Sequence, residues 1–213
     1  CNKKLTKNIY IYEKSKKNIL VLKNLKIKFK IIKNLEKTLI NFDMIIFCTP
    51  MSQYQNIIKK LNNFVTDHTI ITDVGSTKEL MKIKVKKLLK KKKSQWIPSH
   101  PIAGSEVSGA EHGSKDLFKN KWCVLIKEKN TNRKSINKLK IFWKKMGSKV
   151  VFMSSKQHDA IFSITSHLPH LVAYNLVKTA TDFEKEKKYN LIKYSAGGLR
   201  DFSRIAASNE IMW

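Results

Sequence analysis

Residues 43–50 read DMIIFCTP: one acidic residue, five consecutive apolar residues, then Thr49-Pro50. Every position of the run is apolar, not every second one. That pattern fits a strand covered on both faces, and Pro50 ends it because proline has no N–H for a ladder. Residues 69–76, TIITDVGS, repeat the plan, with Gly75 as the stop. Between them, residues 53–64 carry apolar side chains at helical spacing. Two buried strands joined through a helix predict a parallel pair.

The same alternation extends both ways. Upstream, residues 8–13 (NIYIYE) read as a short strand, a basic helix follows from Lys14, residues 26–32 form another short strand and 34–41 a helix. Downstream come a long amphipathic helix over 77–92 and a strand over 96–100. Strands over 121–126 and 149–153 then flank a helix over 134–146. The fold class is therefore α/β, a Rossmann-like, mostly parallel sheet. From 155 to 213 only helical periodicity remains, broken at Leu168-Pro169 and Gly197-Gly198. The reading divides the chain into residues 1–154 and an all-helical region, 155–213.

Composition frames the search for function. The 213 residues carry a formal charge of +27, and all but three of the 43 basic residues are lysine. Nucleic-acid readers lean on the guanidinium fork, and arginine occurs only at 133, 200 and 204. With isoleucine and asparagine also abundant, the lysines read as a compositional drift that produces solvated faces, not a nucleic-acid or membrane device. No apolar run is long enough for a bilayer and no signal peptide is evident, so a cytoplasmic protein is expected. Cys1, Cys48 and Cys123 fit neither a disulfide framework nor a metal site.

Scarce residues then become informative. In open parallel sheets, ligands bind beyond the carboxyl ends of the strands. Three strands here end in unusual residues: Cys48-Thr49-Pro50; Asp73-Val74-Gly75-Ser76; and Ser99-His100-Pro101, running on to Gly104. Glu13 ends the first strand, where dinucleotide-binding folds place an acid that accepts from a ribose hydroxyl. The glycine-rich phosphate turn belongs about 20 residues earlier. No glycine precedes Glu13, so that turn is expected to be either absent or upstream of Cys1. Pro169 suits the first turn of a helix, which would put His170 near a positively polarised N-terminus. Arg200 and Arg204 are spaced to share a helix face, and two guanidiniums suit a substrate with two carboxylates.

Taken in order, the motifs resemble the prephenate and arogenate dehydrogenase family. They are Cys-Thr-Pro at 48–50, Thr-Asp-Val-Gly-Ser at 72–76 and His-Pro-Ile-Ala-Gly-Ser-Glu at 100–106. Ser-Gly at 108–109, Asp-Leu-Phe at 116–118 and His-Asp at 158–159 follow. Ser-His-Leu-Pro-His at 166–170, Gly-Gly-Leu-Arg-Asp-Phe-Ser-Arg-Ile-Ala-Ala-Ser at 197–208 and Met-Trp at 212–213 complete the set. The resemblance implies NAD-dependent oxidative decarboxylation of prephenate to 4-hydroxyphenylpyruvate in tyrosine biosynthesis, by a homodimer. Arogenate, or both compounds, stand as the alternative substrate.

On the same ground, His100 takes the proton of the ring hydroxyl and Ser76 orients it. Arg204 holds the ring carboxylate. His170 lies near the side chain of the substrate, and Arg200, Asp201, Glu106 and Trp213 form the pocket edge. Glu13, Cys48, Thr49, Pro50, Asp73 and Gly75 contact NAD. Residues 1–154 become a dinucleotide-binding domain without its first strand and glycine turn. Residues 155–213 become part of a helical substrate and dimerisation domain. Two other classes remain: a basic module that binds nucleic acid, which would need neither His100 nor paired arginines, and an inactive remnant.

Overall fold

The structure, a computed structural model, describes residues 5–25, 27–35, 41–61, 65–89, 96–104 and 109–207. They form two compact units, the first reaching His158 and the second running from Asp159.

The first unit is built from strand–helix–strand repeats. β1 (Tyr10–Ile11) pairs in parallel with β2 (Lys30–Ile31), and α1 (Lys16–Asn24) crosses between them. α1 begins where the Ser15 side chain accepts from the Asn18 N–H at 3.2 Å, which satisfies one of the amides left open at a helix start. β3 (Met44–Phe47) leads through α2 (Tyr54–Leu61) to β4 (Ile70–Asp73), again in parallel, with Phe47 opposite Asp73. α3 (Glu79–Leu89) follows, and the chain returns beside β4, where the Ile97 N–H donates to the Ile71 carbonyl at 2.8 Å.

β5 (Ser99–Pro101) then pairs antiparallel with β6 (Trp122–Ile126), and β6 pairs in parallel with β7 (Lys149–Met153) across α4 (Arg133–Met146). Asn132 caps α4 at its start, and Gly147 ends it at φ 102°. A Cβ at Gly147 would lie 3.1 Å from the Lys119 Cα, so both the left-handed backbone and the close approach favour glycine.

Alternation along β4 separates two cores. Ile71 packs with Phe47, Tyr54, Ile58, Val85 and Trp96. Its neighbour Ile70 packs with Ile97, Cys123, Leu125, Leu139 and Trp143. Each buried aliphatic side chain contributes about 1.5–3 kcal/mol, which is what anchors a chain so rich in lysine. Cys123 is one of these packing groups, its thiol pushed up to about 12 by burial despite the nearby Lys78.

After β7 the described chain is helical: α5 (Ser155–Phe162), α6 (Leu168–Lys187) and α7 (Gly197–Ala206). The expected break at Leu168-Pro169 is not there. A π-helical turn, Ser163–His167, carries the chain from α5 into α6 without leaving helical geometry. Pro169 sits in the first turn of α6, directly after this π turn. The helix expected over 34–41 and the lysine run 90–93 fall largely or wholly outside the described residues. No helix among the described residues is long and apolar enough to cross a membrane.

Candidate active site

Register decides which residues meet. β3 and β4 run in parallel with Phe47 opposite Asp73, and the Val74 N–H donates to the Phe47 carbonyl at 3.1 Å. The stretch from Trp96 to Ser99 runs parallel to β4. Cys48-Thr49-Pro50 and Val74-Gly75-Ser76 therefore leave β3 and β4 at the same end, and Ser99, bonded to Asp73, brings His100 of β5 close to it. The two loops touch: the Thr77 hydroxyl donates to Met51 Sδ at 3.5 Å. A Cβ at Gly75 would come within 2.9 Å of that sulfur, so this crossing has no room for a side chain.

Asp73 is fully buried. Its Oδ2 accepts from Lys78 Nζ at 2.7 Å, from the Gly75 N–H at 3.0 Å and from the Tyr54 hydroxyl at 3.2 Å. Its Oδ1 accepts from the Ser99 N–H at 3.3 Å. Lys78 Nζ also donates to the Ser99 carbonyl at 2.8 Å, and the Ser99 hydroxyl donates to the Asp73 carbonyl at 2.6 Å. Burial, then the Asp73 charge, push the Tyr54 hydroxyl far above its ordinary value, so it stays a neutral donor. Side chains thus bind the end of β4 to the residue before His100. Asp73, expected among the cofactor contacts, lies inside this network, and sequence reasoning gave Lys78 no part in it.

His100 Nδ1 lies 2.9 Å from His158 Nε2, with the ring planes 59° apart. His158 is fully buried on α5. The start of that helix is tied down. The Ser155 N–H donates to Glu128 Oε1 at 3.1 Å, while Lys82 Nζ reaches Glu79 at 2.8 Å, Glu128 at 3.2 Å and the Ser155 hydroxyl at 2.6 Å. The Ser155 hydroxyl also meets Glu79. Ser76 is half-buried in the turn before α3. Sequence reasoning noticed His158 only as half of a His-Asp motif. Nothing in its neighbours distinguishes it from a surface histidine, and only the fold reveals its burial.

Glu13 follows β1 as expected. Its Oε1 accepts from the Ser15 N–H at 2.8 Å and its Oε2 from Asn18 Nδ2 at 3.2 Å. The carboxylate is thereby aimed from the carboxyl end of β1, and each oxygen keeps a further lone pair.

In the second unit, His170 lies in the first turn of α6, with Nδ1 2.9 Å from the Ser166 carbonyl. The helix N-terminus expected to attract anions there is absent, because the π turn supplies the carbonyls for its amides: the Leu168 N–H meets the Ser163 oxygen. Arg200 and Arg204 are exposed one turn apart on α7, with Asp201 exposed beside them. Glu106 and Trp213 lie outside the described residues. Among the described residues, no group of three His, Cys, Asp or Glu side chains could hold a metal ion.

Comparison with known proteins places both units. The family model for the prephenate dehydrogenase nucleotide-binding domain matches residues 2–152, and that for the prephenate dehydrogenase dimerisation domain matches 154–213. Cyclohexadienyl dehydrogenase of Zymomonas mobilis is 32% identical over 173 residues, which are 80% of this chain and 58% of the relative. Prephenate dehydrogenase of Bacillus subtilis is 35% identical over 171 residues, 79% of this chain and 45% of the relative. The chain thus spans about half the length of the curated relatives it matches. Among solved structures, prephenate dehydrogenase of Aquifex aeolicus in complex with hydroxyphenyl propionate and NAD+ superimposes with a TM-score of 0.91 at 31% identity. That match covers all of this chain and 73% of the other.

Proposed function

Because the chain belongs to the prephenate dehydrogenase family, we propose that the full protein oxidises and decarboxylates prephenate to 4-hydroxyphenylpyruvate, with NAD+ as hydride acceptor. The observation that carries this reading is His100, a half-buried imidazole on β5 whose Nδ1 is already occupied by His158. In this reading Nε2 is the nitrogen that meets the substrate hydroxyl.

The residues present fit the cofactor. Glu13 is aimed from a strand end, as a ribose-hydroxyl acceptor must be. Cys48, Thr49 and Pro50 are exposed after β3, and Gly75 lies at the loop crossing after β4. Bound NAD+ supplies an electrophilic ring that takes up the hydride.

His100 does the proton work. As the C–H bond at the carbinol carbon gives its electron pair away as hydride, Nε2 takes the hydroxyl proton. Loss of the ring carboxylate as carbon dioxide returns the C–C electron pair to the ring. The proton goes back to the phenol oxygen, so no net proton is consumed. An imidazole suits both transfers because its ordinary pKa lies near neutrality. Arg204 engages the ring carboxylate, Ser76 helps to orient His100, and His170 and Arg200 serve the rest of the substrate. Asp201, exposed beside the two arginines, joins them in serving the substrate.

Leu168, Leu171, Val172 and Leu176 stand exposed at helical spacing on α6, which supports assembly with a second copy, and the protein acts as a homodimer. The Zymomonas relative named cyclohexadienyl dehydrogenase supports a second reading, in which arogenate is also accepted. Steady-state NADH formation by the full-length protein with each compound tests both. His100→Asn should lower kcat by roughly 10²–10⁴-fold while leaving KM nearly unchanged. Absence of NADH formation with either compound, or native kcat in the variant, overturns the assignment.

A further inference from the structure

We infer that His158 is a positioning residue that fixes the tautomer of His100, and this rests on His100 acting as the base. The two ring nitrogens are 2.9 Å apart, a hydrogen-bond distance. A hydrogen bond between two neutral imidazoles has one donor and one acceptor, so only two arrangements exist. In one, His158 Nε2–H donates to His100 Nδ1. The proton of His100 then resides on Nε2, and that nitrogen cannot accept one from a substrate. In the other, His100 Nδ1–H donates to the His158 Nε2 lone pair, and His100 Nε2 carries a lone pair of its own. Only the second arrangement makes a base.

The second arrangement also survives the reaction. Once His100 has taken a proton it is an imidazolium with hydrogen on both nitrogens. Its Nδ1–H keeps the same acceptor, and the bond strengthens because the donor is now charged. The first arrangement has no such continuation, since both nitrogens would present hydrogens to each other. His158 thus offers the same acceptor before and after the proton transfer.

Placement argues that the contact is held and not incidental. His100 is paired with Val124 in the β5–β6 ladder, and its neighbour Ser99 is bound to Asp73 and Lys78. His158 comes from a separate element whose first residue is pinned by Glu128 and Lys82. His158 is fully enclosed, so its ring has little freedom to turn away. Two independently anchored rings meet with their nitrogens aligned.

The test uses full-length protein with 15N-labelled histidine. Imidazole nitrogen spectra of the native protein should show His100 protonated at Nδ1 and unprotonated at Nε2. The reverse assignment overturns the inference, whatever the activity. His158→Phe keeps the ring shape and removes both nitrogens. It should lower kcat by roughly 10–100-fold, less than loss of a charged orienting group would, with KM for prephenate little changed. His158→Gln keeps an acceptor oxygen near the place of Nε2 and should recover most of that loss. A purely packing role predicts the opposite order, with Phe tolerated better than Gln, and that result also overturns the inference. Failure of the native protein to turn over prephenate or arogenate would sink the proposed function instead, and the two failures stay distinct.

Discussion

Lys78 Nζ lies 2.7 Å from Asp73 Oδ2, with the two side chains 1% and 0% exposed. Such a pair is a weak source of net stability, because removing two charges from water offsets most of their attraction. Breaking it is another matter. Lys78→Met would leave Asp73 buried with three neutral donors and would remove the bond to the Ser99 carbonyl. A loss of about 3–5 kcal/mol is expected, read from urea unfolding midpoints. The double variant Lys78→Met with Asp73→Asn, which buries no charge, should be more stable than Lys78→Met alone. If the single variant unfolds at the native midpoint, the pair does not secure β4 to β5.

The cluster at the start of α5 predicts a pH dependence. The Lys82 hydrogen bond, then that of Ser155, hold the Glu79 carboxyl below its ordinary 4.5. Burial raises Glu128, but the bonds from Ser155 and Lys82 outweigh it and the carboxyl is also lowered. Burial likewise opposes the charge on Lys82, and its two carboxylate partners still raise it above 10.5.

The signs follow. For both carboxylates the unfolded chain binds protons more readily, so their contribution is complete above 4.5 and is lost as pH falls through the lower folded values. For Lys82 the contribution is complete below 10.5 and is lost as pH rises through the higher folded value. The gap in Tm between the native protein and Lys82→Met should be widest between these limits and should narrow below pH 4.5. A gap that stays constant to pH 3 would mean that the cluster does not stabilise the fold.

If Glu13 meets the ribose, it decides the choice of cofactor. A carboxylate held by the Ser15 N–H and Asn18 can accept from a ribose 2′-hydroxyl and repels a 2′-phosphate. The full-length protein should therefore prefer NAD+ to NADP+ by kcat/KM. Glu13→Ser should lower that preference by roughly tenfold or more, on the scale of a hydrogen bond to a charged group. Lys14, Lys16 and Lys17 follow in the chain and would favour the phosphate once the carboxylate is gone. A native preference for NADP+ would refute the role.

Much of the fold is legible in the sequence, for local reasons. β3 announces itself as an unbroken apolar run closed by Pro50, β4 as a β-branched stretch closed by Gly75, and β7 spans 149–153 as read. β1 and β2 are shorter than the readings over 8–13 and 26–32, since only two residues of each pair. The π turn was hidden because its residues keep a helical pattern, and Pro169 then looked like an interruption. The network behind the site was hidden for a different reason. A buried lysine cannot be told from its neighbours in a lysine-saturated chain, so Lys78 was passed over. Its partner Asp73 ends a strand, and no local pattern tells that its side chain is enclosed. Burial of a charged side chain depends on long-range packing and not on local pattern.

Arg204 separates carboxylate recognition from general positive charge. With a formal charge of +27, the chain's long-range field could draw in a dianionic substrate without any particular residue. A carboxylate clamp is different, because two parallel hydrogen bonds require the planar guanidinium. Arg204→Lys keeps the charge and loses that geometry. If Arg204 holds the ring carboxylate, the swap should raise KM for prephenate by roughly 10–100-fold, the scale of a lost charged hydrogen bond. Lys138→Gln on the exposed face of α4 removes a full charge and should leave KM and kcat at native values. Both variants are compared in full-length protein by NADH formation at two salt concentrations. Field-driven attraction would weaken with salt in every variant alike. An Arg204→Lys enzyme with native KM at both salts would move the clamp elsewhere, with Arg200, one turn away on α7, as the next residue to test.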